Sequence, residues 1–290
     1  MSYLQLLLNA AALGAAYSLV SLGFVLVVKA TGAVNFAHGD LVMGGGYVAV
    51  LLASWLPISL ILLLPLIGAA MFGVGVLLCF AAYMPLMRRP PSTVFISTLL
   101  CGIILENAYI AAFGPQAKAG PPLLAAGSLS LGGTNLSIQA LATLVVAGLL
   151  VGAQYLLFFH TQIGRRLRAV AEDREMARAI GIPALRLIAV TFGVGTALAG
   201  VAGAILANQF FVAPTGGVPL SVYGYIAVVI GGWGSVPGAV VGSMIVAFFQ
   251  VMASRFVPYT VASGALYAAL LVILFFRPQG VFGERTQRRV

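Results

Sequence analysis

Few residues in this chain have the chemistry to act on another molecule, and most of them lie together. The stretch 164–186, GRRLRAVAEDREMARAIGIPALR, holds nine of the 21 charged residues. Elsewhere the polar groups are scattered: Asn35, His38 and Asp40 in NFAHGD, Glu106 beside Asn107, and His160. No nucleophile and base form a catalytic constellation, so no residue is assigned as catalytic, and no spacing suggests a metal site. The two lysines, Lys29 and Lys118, are each followed by alanine. The chain therefore has no G-x-x-x-x-G-K-[ST] loop and no P-loop ATPase site of its own. Redox and haem motifs are missing as well.

The elements that carry these residues are apolar. Hydrophobic residues make up 61% of the 290 positions and charged ones only 7%, against about 25% charged in a soluble domain. Apolar runs of about 20 residues recur along the sequence, which is the length that crosses a bilayer. The 35 glycines suit close approach of membrane helices. Cys79 and Cys101 lie inside apolar runs and read as small packing residues. The net charge of +9 gathers in short loops and the tail, the positive-inside pattern of membrane proteins rather than a nucleic-acid surface. The first run lacks the basic start of a signal peptide and is too long for its apolar core, so it is expected as a retained span.

The expected fold is all-α, a polytopic membrane bundle of about eight transmembrane helices forming one domain over residues 1–290. Spans are expected near 4–28, 41–55, 58–87, 93–113, 138–159, 187–207 and 259–276, with a Gly/Pro-rich solvent loop over 114–137. Residues 223–253 read as a broken or re-entrant pair, two short halves separated by GGWGSVPG. Arg88, Arg89, the 164–186 loop and the tail with Arg277, Arg285, Arg288 and Arg289 are expected on the cytoplasmic side, with the N-terminus outside.

Within the charged loop, Asp173 suits an N-cap, Glu175 the first turn, Gly181 a left-handed C′ position, and Pro183 a stop. The two turns between them are too short to stand alone in water. Met176, Ala177 and Ile180 are expected on one side, and Arg174 and Arg178 together on another. The plain alternative is a solvated loop of incidental helicity.

EMARAIG, Glu175–Gly181, resembles the EAA signature of ABC importer membrane subunits, where Glu-Ala-Ala precedes a glycine by three intervening residues. Glu175, Ala177 and Gly181 match, whereas Met176 replaces the middle alanine and the usual Leu-Pro further on is missing. TGAVNFAHGDLVMGGGY (31–47), RAVAEDREMARAIGI (168–182) and VVIGGWGSVPGAVVG (228–242) are similar to segments of LivH-type permeases of branched-chain amino acid ABC transporters. The resemblance implies an ATPase-coupling helix made from Asp173, Arg174, Glu175, Ala177, Arg178 and Gly181. It implies a homologous second permease subunit, two cytoplasmic ATPases that carry ATP and Mg, and an extracytoplasmic substrate-binding protein. No cofactor is expected on this chain itself. A bacterial or archaeal cytoplasmic membrane, with its lipid as a further partner, is the implied location.

Polar groups inside the apolar runs cost about 2.5–3.5 kcal/mol each when ionised at mid-bilayer, so they face a bundle interior. Glu106 with Asn107 is either a structural carboxyl or a part of the substrate path. Asn35 and His38, at i and i+3, would share a helical face with Asp40 turned away, as packing residues or as a path or gate. Gly231, Gly232 and Gly234 break a helix, and broken helices free backbone groups to meet polar substrates; a tight re-entrant turn is the alternative. A gradient-driven transporter would want a pair of membrane carboxylates, and an ABC permease for urea, amides, sugars or nucleosides would share the same architecture.

Overall fold

The computed structural model describes residues 3–124, 127–131, 134–277 and 279–282; Arg285, Arg288 and Arg289 of the expected basic tail lie outside them. It is an all-α bundle. Helix α1 (Tyr3–Thr31) is apolar around its whole circumference and buried over most of its length, as a central bundle helix must be. Packed around it are α5 (Ile138–His160), α8 (Ala184–Phe210), α9 (Gly217–Gly231) and α10 (Val236–Phe256). An outer set comprises α3 (Leu60–Leu78), α4 (Pro91–Phe113) and α11 (Tyr259–Phe276), which expose apolar side chains such as Leu62, Ile104 and Phe275. Their outward faces suit lipid or a partner subunit.

Close packing rests on small residues. Helix α2 (His38–Trp55) crosses α8 where Gly45 meets Gly200, and a Cβ on Gly45 would fall 2.0 Å from the Gly200 carbonyl oxygen. Any side chain there would force the helices apart, so the glycine pair sets the interaxial distance.

Among the described residues, eight helices are long and apolar enough to cross a membrane. Helix α2, with His38, Asp40 and its glycines, is a further long helix that falls short in hydropathy. Two expectations need correction. The pair over 223–253 is a helical hairpin whose second arm, α10, is 21 residues or about 31 Å long, a full span. Ala253 did not end it, because no helix breaker stands before Pro258. Residues 114–137 are not plain loop: Ser128–Leu131 and Thr134–Ser137 pair as an antiparallel ribbon, β1 and β2. The third span, expected near 58–87, is found over Leu60–Leu86, where α3 runs on through a π-helical turn, Cys79–Tyr83, and a 3-10 turn, Met84–Leu86.

The second helix also starts earlier and deeper than the hydropathy suggested. Its first residue, His38, bonds through Nε2 to the Val20 carbonyl at 2.9 Å. Val20 lies about three turns, or roughly 16 Å, back from the end of α1 at Thr31. Residues 32–37 therefore run back beside α1 without helical structure. Backbone at that depth survives only when its polar groups find partners. Ala33 N–H donates to Thr31 Oγ1, Phe36 N–H to Thr98 Oγ1, Ala37 N–H to Asn35 Oδ1, and Gly39 N–H to Ser221 Oγ. Four side chains, two of them from α4 and α9, thus do what a helix would otherwise do.

Candidate functional site

Two regions gather polar residues, and both begin in local sequence. The first is the charged loop, which folds as α6 (Gln162–Glu172) and α7 (Arg174–Ala179). Thr161 caps α6, its Oγ1 accepting from Gly164 N–H at 3.1 Å. Asp173 ends α6 and caps α7: its Oδ1 accepts from the N–H groups of Glu175 and Met176, both at 2.9 Å. At the other end Gly181 adopts φ 82°. Gly181 N–H donates to Arg178 O at 3.0 Å and Ile182 N–H to Ala177 O at 2.9 Å, the paired bonds of a Schellman motif. A helix this short is held by its caps and by what it rests on.

It rests on Arg174 and Ala177. Arg174 turns inward, and Nη2 donates to the Tyr83 hydroxyl at 2.7 Å and to the Ala30 carbonyl at 3.2 Å, while its guanidinium lies 5.9 Å from the Tyr83 ring centroid. One side chain thus fastens α7 to the end of α1 and to the π-helical turn after α3. Ala177 is only 2% exposed, whereas Met176 is 61% and Ile180 67% exposed. The single apolar side expected of Met176, Ala177 and Ile180 is therefore split. Residues four apart share a face, but neighbours lie about 100° apart, so Ala177 meets the bundle and the other two look out. Arg174 and Arg178, four apart, both stand near enough to Tyr83 for their charges to act on it, with Arg174 half-buried and Arg178, like Glu175 and Gly181, exposed.

The second region is a cavity of about 390 Å³ bounded by α1, the 32–37 segment, α2, α4 and α9. Its polar lining is Asn35, Asp40, Glu106, Ser221 and Tyr225; its apolar lining includes Phe24, Leu99, Ile103, Val218 and Val222. Asp40 and Glu106 stand near enough for their charges to interact. The Asp40 carboxylate sits in a slot between two glycines. A Cβ on Gly102 would lie 2.4 Å from Oδ2, and one on Gly217 would lie 2.2 Å from Oδ1. Gly217 opens α9, so the positive end of that helix dipole faces Asp40. Exposed Phe36, Leu99, Ile103 and Val218 rim the mouth of the cavity.

Of the residues singled out from sequence for a path, Asn35 and Glu106 line this cavity and the others do not. Asp40, expected to turn away, lines it too. The helical-face argument failed because Asn35 lies before the helix, where the 3.6-residue period does not apply. His38 is buried against α1, its ring edge-on to Phe24 at 5.8 Å. Since a carbonyl only accepts, Nε2 carries the proton on the bond to Val20, and Nδ1 has no partner among the described residues. Asn107 is exposed on the outer side of α4, its amide bonded to the Ile103 carbonyl at 2.8 Å. Gly231, Gly232 and Gly234 form the turn of the α9–α10 hairpin rather than a break at mid-span. Gly231 packs on the Gly238 backbone, Gly232 and Gly234 have φ of 111° and 75°, and Gly234 lies by Lys29 at the α7 end of the bundle. The helix starts that do lie at depth are those of α2 and α9. Asp40, Gly102, Gly217 and Ser221 were missed; the one signal for Asp40 was that it shares with Glu106 the status of an acid in an apolar run.

Comparison with known proteins agrees along the chain. The family model described as the permease component of branched-chain amino acid transport systems matches residues 6–275. The chain is 31% identical over 301 residues to BraD of Pseudomonas aeruginosa, a high-affinity branched-chain amino acid transport system permease protein, covering 99% of this chain and 98% of the relative. To LivH of Escherichia coli K12, named likewise, it is 29% identical over 303 residues, with 99% and 98% coverage. A probable LivH of Methanocaldococcus jannaschii is 29% identical over 91% of this chain and 88% of its own length. A solved structure, PsaBC from Streptococcus pneumoniae in complex with Fab, shares the fold with a TM-score of 0.51 at 15% identity, over 94% of this chain and 91% of that one.

Proposed function

The chain belongs to the family of branched-chain amino acid transport system permease components, and from that premise we propose that it is a non-catalytic membrane half of an ABC importer for branched-chain amino acids. A homologous second permease completes the path. Of two cytoplasmic ATPases that hydrolyse ATP with Mg, one docks on α7 and the other on the second permease, and an extracytoplasmic binding protein delivers substrate from the other side. The multi-pass chain lies with α7 inside and its N-terminus outside. Supporting that orientation, Lys29, the Arg174–Tyr83 contact next to Arg88 and Arg89, and the start of the tail, where Val281 N–H bonds Ile230 O, all meet at the α7 end.

The observation that carries the reading is the construction of α7: capped at both ends, bolted to the bundle through Arg174, and presenting Met176 and Ile180 to the outside. Two exposed apolar side chains on a rigid two-turn helix fit a hydrophobic groove on a partner. The motion of that partner reaches the membrane through Arg174. ATP supplies the energy on the partner; this chain supplies the lever and the walls of the path.

The test is to co-express the chain with its neighbouring ATPase and permease partners and purify the complex in detergent. Ile180→Asp is expected to leave the permease folded and to abolish ATPase retention and leucine uptake. Normal uptake by that variant, or ATP-independent uptake by this chain alone in liposomes, would overturn the assignment.

A further inference from the structure

Aromatic side chains crowd the edge of the cavity that lies nearest α7. Along α9, Tyr225 is the last lining residue before the hairpin turn, and Trp233 stands on that turn. Along α4, Phe95 lies one turn beyond Leu99, the lining residue nearest the start of that helix. Phe24 of α1 and Phe36 of the 32–37 segment complete the set, and both line the cavity. The rings meet in two groups. Phe36 and Phe95 are edge to face with centroids 4.4 Å apart. Trp233 packs edge-on against Tyr225 at 5.8 Å and against Phe24 at 6.4 Å, and those two are edge to face at 6.1 Å.

The polar lining sits on the far side of these rings. Glu106 is about three turns beyond Phe95 along α4, and Ser221 comes a turn before Tyr225 on α9. Asp40 follows His38, whose bond reaches Val20, a turn beyond Phe24 on α1. An apolar constriction between a polar cavity and the water outside excludes water and ions until it widens.

The rings are not equally held. Phe24 is 4% exposed and backed edge-on by His38. Trp233 is 48% exposed, at the tip of a turn closed by Ser235 N–H on the Gly232 carbonyl at 3.0 Å. Gly232 and Gly234 flank it at φ 111° and 75°, and glycine crosses between backbone regions that bar other residues. The turn can therefore re-aim the indole. Gly234 also lies by Lys29, next to Ala30, whose carbonyl Arg174 holds, so the turn borders the anchor of α7.

We propose that these rings form the gate at the α7 end of the transport path, with Phe24 and Tyr225 as the seat and Trp233 as the leaf that swings clear. Phe36 and Phe95 narrow the opening from the α4 side. The gate rests on the transport reading above; what it adds is the residue at which the path closes.

The experiment uses the complex with its permease and ATPase partners in membrane vesicles that turn α7 outward, carrying Cys101→Ser and Val222→Cys. Val222 lines the cavity, and native Cys79, 0% exposed, stays as a reporter of unfolding. A membrane-impermeant maleimide is added without ATP, and labelling of each thiol is read by peptide mass spectrometry. With the gate intact, the Val222→Cys thiol is expected to label slowly. Trp233→Ala removes the leaf and both its ring contacts and is expected to speed that labelling about tenfold, with Cys79 still protected. Trp233→Phe keeps a ring in place and should gain little. Phe95→Ala, at an exposed position, is expected to give a smaller gain. Three results overturn the gate: fast labelling before Trp233 is changed, no gain in a Trp233→Ala variant whose Cys79 stays protected, or, where Trp233→Ala unfolds, no gain in Phe95→Ala. Labelling needs no substrate, so leucine uptake by the unsubstituted complex, measured in parallel, judges the transport reading separately.

Discussion

Arg174→Ala is the substitution that separates a docked helix from a connected one. The guanidinium gives two hydrogen bonds from Nη2, at 2.7 Å to Tyr83 and 3.2 Å to Ala30. A hydrogen bond involving a charged group contributes about 1.5–3 kcal/mol, and the longer, partly exposed bond belongs below that range. A net loss of about 2 kcal/mol in the seating of α7 follows, which is roughly a thirtyfold rise in the population of its detached state. The caps at Asp173 and Gly181 do not involve Arg174, so the exposed face of α7 keeps its shape and, on the proposed reading, is expected still to bind an ATPase. The assay is hydrogen–deuterium exchange of the 174–182 peptide in the complex, paired with leucine uptake per ATP hydrolysed in proteoliposomes. Faster exchange in 174–182 and a lower transport-to-hydrolysis ratio are expected, with ATPase subunits still bound. Tyr83→Phe, which removes one bond and keeps the ring, should produce a smaller version of both effects. If Arg174→Ala exchanged at the wild-type rate and transported with unchanged stoichiometry, the anchoring role would be refuted.

Two further outcomes follow from backbone geometry. Gly181 sits at φ 82° with nothing within 4 Å of where a Cβ would stand, so Gly181→Ala meets no clash and pays only the left-handed penalty of about 1–2 kcal/mol; Gly181→Asn should be milder, as measured by exchange in the same peptide. Gly45→Ala would put a methyl 2.0 Å from the Gly200 carbonyl oxygen and should destabilise the α2–α8 crossing by about 2 kcal/mol or more, lowering the thermal midpoint in detergent. Gly148→Ala, on the exposed side of α5 with no neighbour within 4 Å, should leave that midpoint unchanged or raise it slightly.

What could be read from the sequence was whatever is settled within a few residues. The caps of α7 are of this kind, because Asp173 bonds residues two and three ahead and the Schellman bonds at Gly181 close over five. The apolar spans are legible for the same reason, each being a local run long enough for a bilayer. The inward turn of Arg174 was not legible, since its partners Ala30 and Tyr83 lie 144 and 91 residues away. Nor was the depth of a break. GGWGSVPG looks like a helix interruption wherever it lies, and only Gly234 beside Lys29 puts it at the end of the bundle. The start of α2 failed in the opposite sense. Its polar run reads as one helical face from Asn35 to His38, yet Asn35 lies before the helix, and Thr98 and Ser221 supply hydrogen bonds that let the run lie deep inside.

The two polar regions are connected by a short stretch of chain. Arg174 holds the carbonyl of Ala30, and the next residue, Thr31, uses its hydroxyl both to accept from Ala33 N–H at 3.1 Å and to donate to Val27 O at 2.7 Å. From there residues 32–37 lead without helical stiffening to Asn35 on the cavity wall and into the first turn of α2, which carries Asp40. A rigid helix would transmit a push as translation of the whole rod. A non-helical segment held by three side-chain bonds, one of them from Thr98 on α4, can instead shift locally, and a fourth, from Ser221 on α9, holds Gly39 in the first turn of α2. A displacement of α7 would therefore reach the cavity first through residues 32–37, which carry Val34, Asn35 and Phe36 of its lining, and then through Asp40. That ordering explains why a membrane protein would keep irregular, polar backbone at such depth, where a continuous helix would be simpler to satisfy.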